Sequence, residues 1–368
     1  MSIPPSLFIT AATGLSSSTG KSLGPKAFDH LGFSKILTSS MFISVWLADM
    51  VSGLVPPSSS TPLLRKFVSS LPKDMSHIPK VWSPKDISYL QGSALVSEIA
   101  VNNENDLKSY AMISGLPRVP GAGPPFSMEV WRWSQSVTNS RLFGMGGDDV
   151  GLVPVADMMN HELKSEAGKV CDWGASKLDG SFELKAGPKG SPAGEELVIS
   201  YGLHSNRHML KYYGFVQDRE ERIKDREMGE PEEALVGGVF VNIGAGEKIL
   251  REIGKCREAE GSKWSGDVAL EEAAIRAFRL KVEESRSMYP EGSDEEDRVG
   301  LGMEVGSRRQ QAATVRRGEK RVLLHLERIC DVAIEVLGDV KEGKLGMDKY
   351  RELLKGTCEM PKLINKVW

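Results

Sequence analysis

Cysteine is scarce in this chain and never clustered: the four thiols stand at positions 171, 256, 330 and 358 of 368 residues. With no CxxC pair, neither a structural zinc centre nor a disulfide framework is indicated, and a reducing compartment fits best. No metal site is expected. A dominant charge is missing too, since 47 Lys and Arg face 50 Asp and Glu for a net of −3. A surface built for a polyanion is therefore disfavoured, and no nucleic-acid partner is assigned. Long apolar runs are absent. The longest, MFISVWLADMVSGLV (41–55), is too short to span a bilayer and carries Asp49 and Gly53. It reads as a core helix, and no membrane partner is expected. Residues 1–28 contain no acidic residue, as in transit peptides, yet they also contain no Arg. A cytoplasmic or nuclear location is expected, with the chloroplast as the alternative.

What is present is ordinary globular material, 40% hydrophobic and 26% charged, enough for a sizeable core and, at this length, for two domains. Residues 1–35 show no clear pattern. From 36 to 135 the chain reads as helices and loops. Ser83 before Pro84 marks one helix start, Ser127 another, and the Pro/Gly-rich LPRVPGAGPP (116–125) a loop. Between 150 and 202 the short stretches LVPVA, FELKAG and ELVISYG alternate with Gly and Pro turns and read as strands. NRHMLKYYGF then suggests a short helix, and residues 217–234 a charged linker. Residues 235–368 are helical in pattern. Val322, Leu323, Leu326, Ile329, Cys330, Ala333, Ile334 and Leu337 form an apolar stripe at helix spacing, which predicts core rather than a cofactor site. PEGSDEEDRVGLG (290–302) reads as a loop between helices.

Several segments imitate chemistry they do not support. GLSSSTGKS (14–22) resembles a phosphate-binding loop, but five residues separate its first Gly from GK where that loop needs four. FISVWLAD (42–49) could pose as its acidic strand, yet no alternation of strands and helices follows. His204 and His208 share a helix spacing without a third ligand and read as surface histidines. GMGGDD (144–149) reads as a turn.

Three stretches remain: NSRLFG (139–144), GLVPVADMMNHE (151–162) and GEELVISYG (194–202). Each has a plain explanation alone. Asn-His after a strand suits a turn, because both side chains bond local peptide groups. Tyr201 can be a half-buried tyrosine at a strand end, and Arg141 a surface ion-pair partner.

In this order and spacing, however, SRLF (140–143), LVPVADMMNH (152–161), GEELVISYG and SNRHMLKYYGF (205–215) resemble the SET-domain protein methyltransferases. The match is to the branch typified by the Rubisco large-subunit lysine methyltransferase. It extends over about residues 36–216, including LPK (71–73), VWSPKDISYLQGS (81–93) and WRWSQSVTNSR (131–141). The resemblance implies an α+β fold: a SET-domain β-fold with a pseudoknot and a helical insert (about 40–135), a catalytic core (about 136–216), and an all-α C-terminal domain over 235–368 that docks the substrate. It implies S-adenosyl-L-methionine as cofactor, held by Arg141, Asp157, Asn160, His161 and Phe215. Tyr201 would be the catalytic phenol, and Tyr213 and Ser140 would shape the substrate channel. The expected reaction is methyl transfer to a lysine of a protein substrate, by a monomeric enzyme.

The family opens with a G-x-G-L-x-A segment that walls the cofactor site, and residues 1–35 contain no such segment. Glu162 also stands where Ser is common, and VQDREE follows YGF in place of the usual Asn and Asp. A catalytically inactive protein-binding module derived from the methyltransferases is therefore a second reading, and a histidine methyltransferase a third.

Overall fold

The computed structural model describes residues 1–55, 61–116, 124–146, 148–162, 170–176, 178–187, 190, 193–217, 233–236, 238–242, 246–259 and 266–359. Most of the 217–234 linker and of the 116–125 loop falls outside them. The chain begins with β1 (Ser2–Ile3), β2 (Ile9–Thr10), α1 (Ala11–Ser16), α2 (Ser18–Leu23), α3 (Lys35–Val51) and α4 (Thr61–Ser70). Next come α5 (Pro84–Ser88), α6 (Ala94–Ser114) and α7 (Met128–Arg141). The strands β3 (Leu142–Gly146), β4 (Asp149–Leu152), β5 (Asn160–His161), β6 (Val170–Ala175), β7 (Phe182–Lys185) and β8 (Val198–Ile199) follow. After α8 (Asn206–Tyr213) come the pair β9 (Glu233–Val236) and β10 (Val239–Asn242). The helices α9 (Gly246–Ala259), α10 (Val268–Ser287), α11 (Ser293–Leu301), α12 (Arg308–Lys341) and α13 (Met347–Glu359) complete the order.

The described residues fall into two compact units. One comprises Met1–Val81 and Ile99–Gly202, the other Trp82–Glu98 and Leu203–Trp368. In the first, a three-stranded sheet has the order β2-β4-β3 and a five-stranded one the order β1-β7-β6-β8-β5. Residues 1–35, patternless in the sequence, are structured throughout. Ser2–Ile3 pairs antiparallel with β7, and Ile9–Thr10 with β4. Strands this short are held by the partner's edge rather than by a period of their own, which is why no pattern announced them.

The imitation phosphate loop is a packing device. A Cβ on Gly14 would lie 2.1 Å from the Phe42 carbonyl oxygen of α3, and one on Gly20 2.0 Å from the Gly14 carbonyl oxygen. Asp49, the residue that mimicked an acidic strand, is fully buried. It accepts hydrogen bonds from Thr19 N at 2.9 Å and Thr19 Oγ1 at 2.5 Å, tying α2 to α3. The two decoys are thus halves of one structural contact. Around them, Ile43, Trp46, Leu47 and Met50 of α3 pack on Leu64 and Phe67 of α4, Val137 of α7 and Leu152 of β4.

The starts expected at Ser83 and Ser127 are capped as predicted. Ser83 Oγ accepts from Asp86 N at 3.2 Å, and Ser127 Oγ accepts from Val130 N at 3.2 Å. In the second unit the stripe on α12 is core: Val322, Leu323, Leu326, Ile329, Cys330, Ala333 and Leu337 are buried with Phe278, Ile275 and Tyr350. Glu319 of the same helix is 1% exposed. It accepts from Ser93 Oγ at 3.0 Å and Tyr289 OH at 2.8 Å, so both carboxylate oxygens are satisfied within the unit.

Two expectations need correction. Residues 290–302 are not a loop, since Ser293–Leu301 forms α11 behind Gly292 at φ 77°. Asp294, Glu295 and Glu296 in its first turn complement the positive end of the helix dipole. His204 and His208 are not surface histidines. Their half-buried rings stack at 4.0 Å, and burial pushes the His208 imidazole down to about 3, with His204 adding to the effect. No metal-holding group of His, Cys, Asp or Glu exists among the described residues, and no described helix is long and apolar enough to cross a membrane.

Gly14→Ala tests the close approach directly. In an open helix this change stabilises by about 1 kcal/mol. Here the new methyl meets backbone, so a loss of about 2–3 kcal/mol is expected in denaturant unfolding monitored by the tryptophans of the first unit.

Candidate functional site

β5 and β6 are consecutive in the chain, yet β8 lies between them, parallel to both. Asn160 pairs with Val198 and His161 with Ile199, and the contact continues as Glu162 N donates to the Ile199 carbonyl at 3.0 Å. This insertion brings residues some forty positions apart to one place; the connection from β5 to β6, on which the threading implied by the family resemblance depends, lies outside the described residues.

The chain enters β5 through strained backbone. Val155 has φ 76° and ψ −47°, the only described non-glycine residue at positive φ. This is close to the rare γ-turn, unfavourable for a β-branched side chain. It ends the strand expected over LVPVA at Leu152 and starts a 3-10 turn, Ala156–Met158. The turn buries the Asp157 side chain to 6% exposure, while Asn160 is exposed and His161 half-buried.

Tyr201 closes the arrangement. Its peptide N–H donates to His161 Nδ1 at 3.0 Å, and its hydroxyl donates to the Met159 carbonyl at 2.8 Å. Because Nδ1 accepts, the proton of a neutral His161 ring resides on Nε2. The two rings lie 5.0 Å apart. Burial pushes the phenol above its ordinary value; Asp157 and Glu196 push it further, and Arg141 pulls it back. It is therefore protonated at neutral pH.

Arg141 ends α7, with Nη1 donating to the Asp157 carbonyl at 2.8 Å and to Asp157 Oδ2 at 3.1 Å. Despite this partner, burial holds the Asp157 carboxyl above the usual carboxylate value. Two polar atoms of the pair, Arg141 Nε and Asp157 Oδ1, are buried and have no hydrogen-bond partner among the described residues. Ser140 is half-buried and bonds back to the Val137 carbonyl at 3.1 Å. In the second unit, Tyr213 ends α8 and Phe215 follows the left-handed Gly214, their rings 6.3 Å apart.

Sequence reasoning missed two contributors. Glu196 accepts from Asn160 Nδ2 at 2.6 Å; it lies inside the quoted GEELVISYG, but no rule marked its side chain. Trp173 donates its indole N–H to the Ser200 carbonyl at 3.2 Å, beside Tyr201, and stacks on Phe182 at 5.8 Å. Nothing local to the sequence points to it.

With this geometry in place, the comparison with solved structures is informative. Rubisco LSMT bound to AdoMet aligns with 100% of this chain and 89% of its own, at a TM-score of 0.63 and 17% identity. The SET domain of LSMT bound to methyllysine and AdoHcy aligns over the same shares at 0.66 and 18%. The chain thus has the α+β fold of the SET domain. In sequence it is similar to the chloroplastic [fructose-bisphosphate aldolase]-lysine N-methyltransferase of Arabidopsis thaliana, 29% identical over 150 residues, 38% of this chain and 31% of that protein. It is also similar to the chloroplastic Rubisco large-subunit N-methyltransferase of Nicotiana tabacum, 26% identical over 160 residues, 38% and 30% of the two chains. The matched part therefore spans about a third of these relatives' length. No family model matches the chain.

Asp157 carries a pH signature. With its folded pKa raised, the stability it confers is complete below the unfolded value and is lost as pH rises through the folded value. Asp157→Asn removes this dependence. The stability of the variant relative to the parent should rise as pH rises above the ordinary carboxylate range in urea titrations of the ligand-free protein. A constant difference would contradict the burial argument.

Proposed function

We propose that this chain transfers a methyl group from S-adenosylmethionine to a lysine side chain of a protein substrate. The observation that carries the reading is the parallel pairing of β5 with β8, which sets Asn160 and His161 beside Tyr201. The lysine-directed relatives named above support the target.

The residues suit such a cofactor. Asn160 and Glu196 offer exposed amide and carboxylate groups to a cationic ligand. Arg141 offers a carboxylate a permanently charged, planar fork. The orphaned Arg141 Nε and Asp157 Oδ1 are buried groups that a polar ligand or its water would satisfy. By the family resemblance His161 would contribute its backbone and Ser140 would line the way in for the substrate; Tyr213 and Phe215, which the resemblance also implies, belong to the second unit. When bound, the cofactor supplies an electrophilic methyl on a sulfonium.

The chain's own contribution is positioning and desolvation. A lysine ammonium has no lone pair, and removing its proton at neutral pH costs about 5 kcal/mol. A half-buried site disfavours the charged form and lowers that cost. Tyr201, its proton engaged by the Met159 carbonyl, presents an oxygen that accepts a hydrogen bond and orients the amine. No dedicated base is needed. The C-terminal segment (235–368), whose expected helices begin only at Gly246 after the β9–β10 pair, would dock the protein substrate, with one chain acting alone. Both named plant relatives are chloroplastic proteins, which supports the chloroplast over the cytoplasm or nucleus.

Titration calorimetry with S-adenosylmethionine and mass spectrometry of methylated proteins test the reading. Saturable binding with methyl-lysine products supports it. Folded protein that binds no cofactor would instead be a binding module, and methyl-histidine products would move the target to histidine. Tyr201→Phe should lower kcat by about 100-fold while the chain stays folded. If Tyr213→Phe loses more than Tyr201→Phe, the roles of the two phenols are reversed.

A further inference from the structure

Glu196 stands just ahead of β8 and reaches across to β5, where its Oε1 accepts from Asn160 Nδ2 at 2.6 Å. The register brings the two together, since Asn160 pairs with Val198 and Glu196 lies two residues before it. A carboxylate only accepts, so the amide nitrogen is the atom that must face it. Glu196 is exposed and forms no ion pair with a described residue. The neighbouring charges answer each other instead, Arg141 Nη1 lying 3.1 Å from Asp157 Oδ2. Glu196 is thus left with a charge that no described cation neutralises. Its field extends to the middle of the site. Burial raises the titration of the Tyr201 phenol, Arg141 pulls it back, and Asp157 and Glu196 raise it again.

We propose, on the methyl-transfer reading above, that Glu196 makes the site selective for charge, favouring the cationic sulfonium of S-adenosylmethionine over AdoHcy, the neutral thioether left after transfer. In that transfer the bond from sulfur to the methyl breaks and its electron pair stays on sulfur. The methyl joins the lone pair of the amine nitrogen, which carries the positive charge away. The bound ligand loses its sulfonium charge while its adenosyl and amino-acid parts are unchanged. Groups that hold those shared parts, the Asn160 amide among them, serve cofactor and product alike. A carboxylate whose field reaches the Tyr201 hydroxyl distinguishes the two, because Coulomb attraction acts on the sulfonium and not on the thioether. Spent product then leaves more readily than cofactor.

Titration calorimetry of the full chain with S-adenosylmethionine and with AdoHcy tests the selectivity. The parent should bind the sulfonium more tightly, by a margin that shrinks as ionic strength rises. Glu196→Gln keeps an oxygen to accept from Asn160 but removes the charge. Affinity for S-adenosylmethionine should fall about fivefold, the scale of an exposed ion pair, with AdoHcy unchanged. Glu196→Asp retains the charge and should retain the preference. Glu129→Gln makes the same change of charge in the first turn of α7, about 18 Å along the helix from Arg141, and should move neither ligand. Circular dichroism verifies that the variants fold. Equal losses for both ligands in Glu196→Gln would reduce the contact to a structural one and overturn the proposal, as would an unchanged ratio or a parent without preference. If the folded parent binds neither ligand, the methyl-transfer reading itself fails and takes this selectivity with it.

Discussion

The candidate site depends on one backbone arrangement, the insertion of β8 between β5 and β6. Each strand contributes only two residues at the crossing, too few to hold by ladder hydrogen bonds alone. The shortfall is met by side chains. His161 Nδ1 takes the Tyr201 N–H, the Tyr201 hydroxyl takes the Met159 carbonyl, and the Trp173 indole takes the Ser200 carbonyl. Each of these satisfies a backbone group that a longer sheet would have paired. The histidine and tyrosine that a functional reading singles out are therefore also structural, and the strain at Val155 is the geometric cost of turning the chain into this crossing.

Buried polar groups are paired to different extents in the two units. In the second, Glu319 has both oxygens satisfied by Ser93 and Tyr289, and Arg207 meets Glu98 and Glu233 while lying over the Phe240 ring at 3.7 Å. The Glu319 network, with both oxygens paired, favours one packing. In the first, Arg141 and Asp157 keep polar atoms without partners, and burial holds Asp157 away from its ordinary titration range. Arg141 and Asp157 are distinguished by holding two such atoms within one ion pair, beside the β5–β8 pairing.

Much of the helical part was legible. Serine caps at 83 and 127 and the stripe on α12 follow local rules of hydrogen bonding and 3.6-residue periodicity. The N-terminal strands were not, because two-residue strands carry no period, and α11 was masked by its charges and glycines although its acidic first turn was a valid helix signal. At the site, Asn160, His161 and Tyr201 were found through ordered motifs. Glu196 and Trp173 were missed because their roles depend on partners 36 and 27 positions away.

The sequence by itself determined the helix starts at Ser83 and Ser127 and the buried stripe of α12, since these follow from capping and spacing. Only tertiary structure decided that Gly14, Gly20 and Asp49 are packing groups rather than a nucleotide site, that Arg141 meets Asp157, and that Tyr201 lies on His161. The reason is physical. Helix formation is governed by contacts three or four residues apart, whereas an inserted parallel strand is defined by whichever distant segment fills the gap beside it.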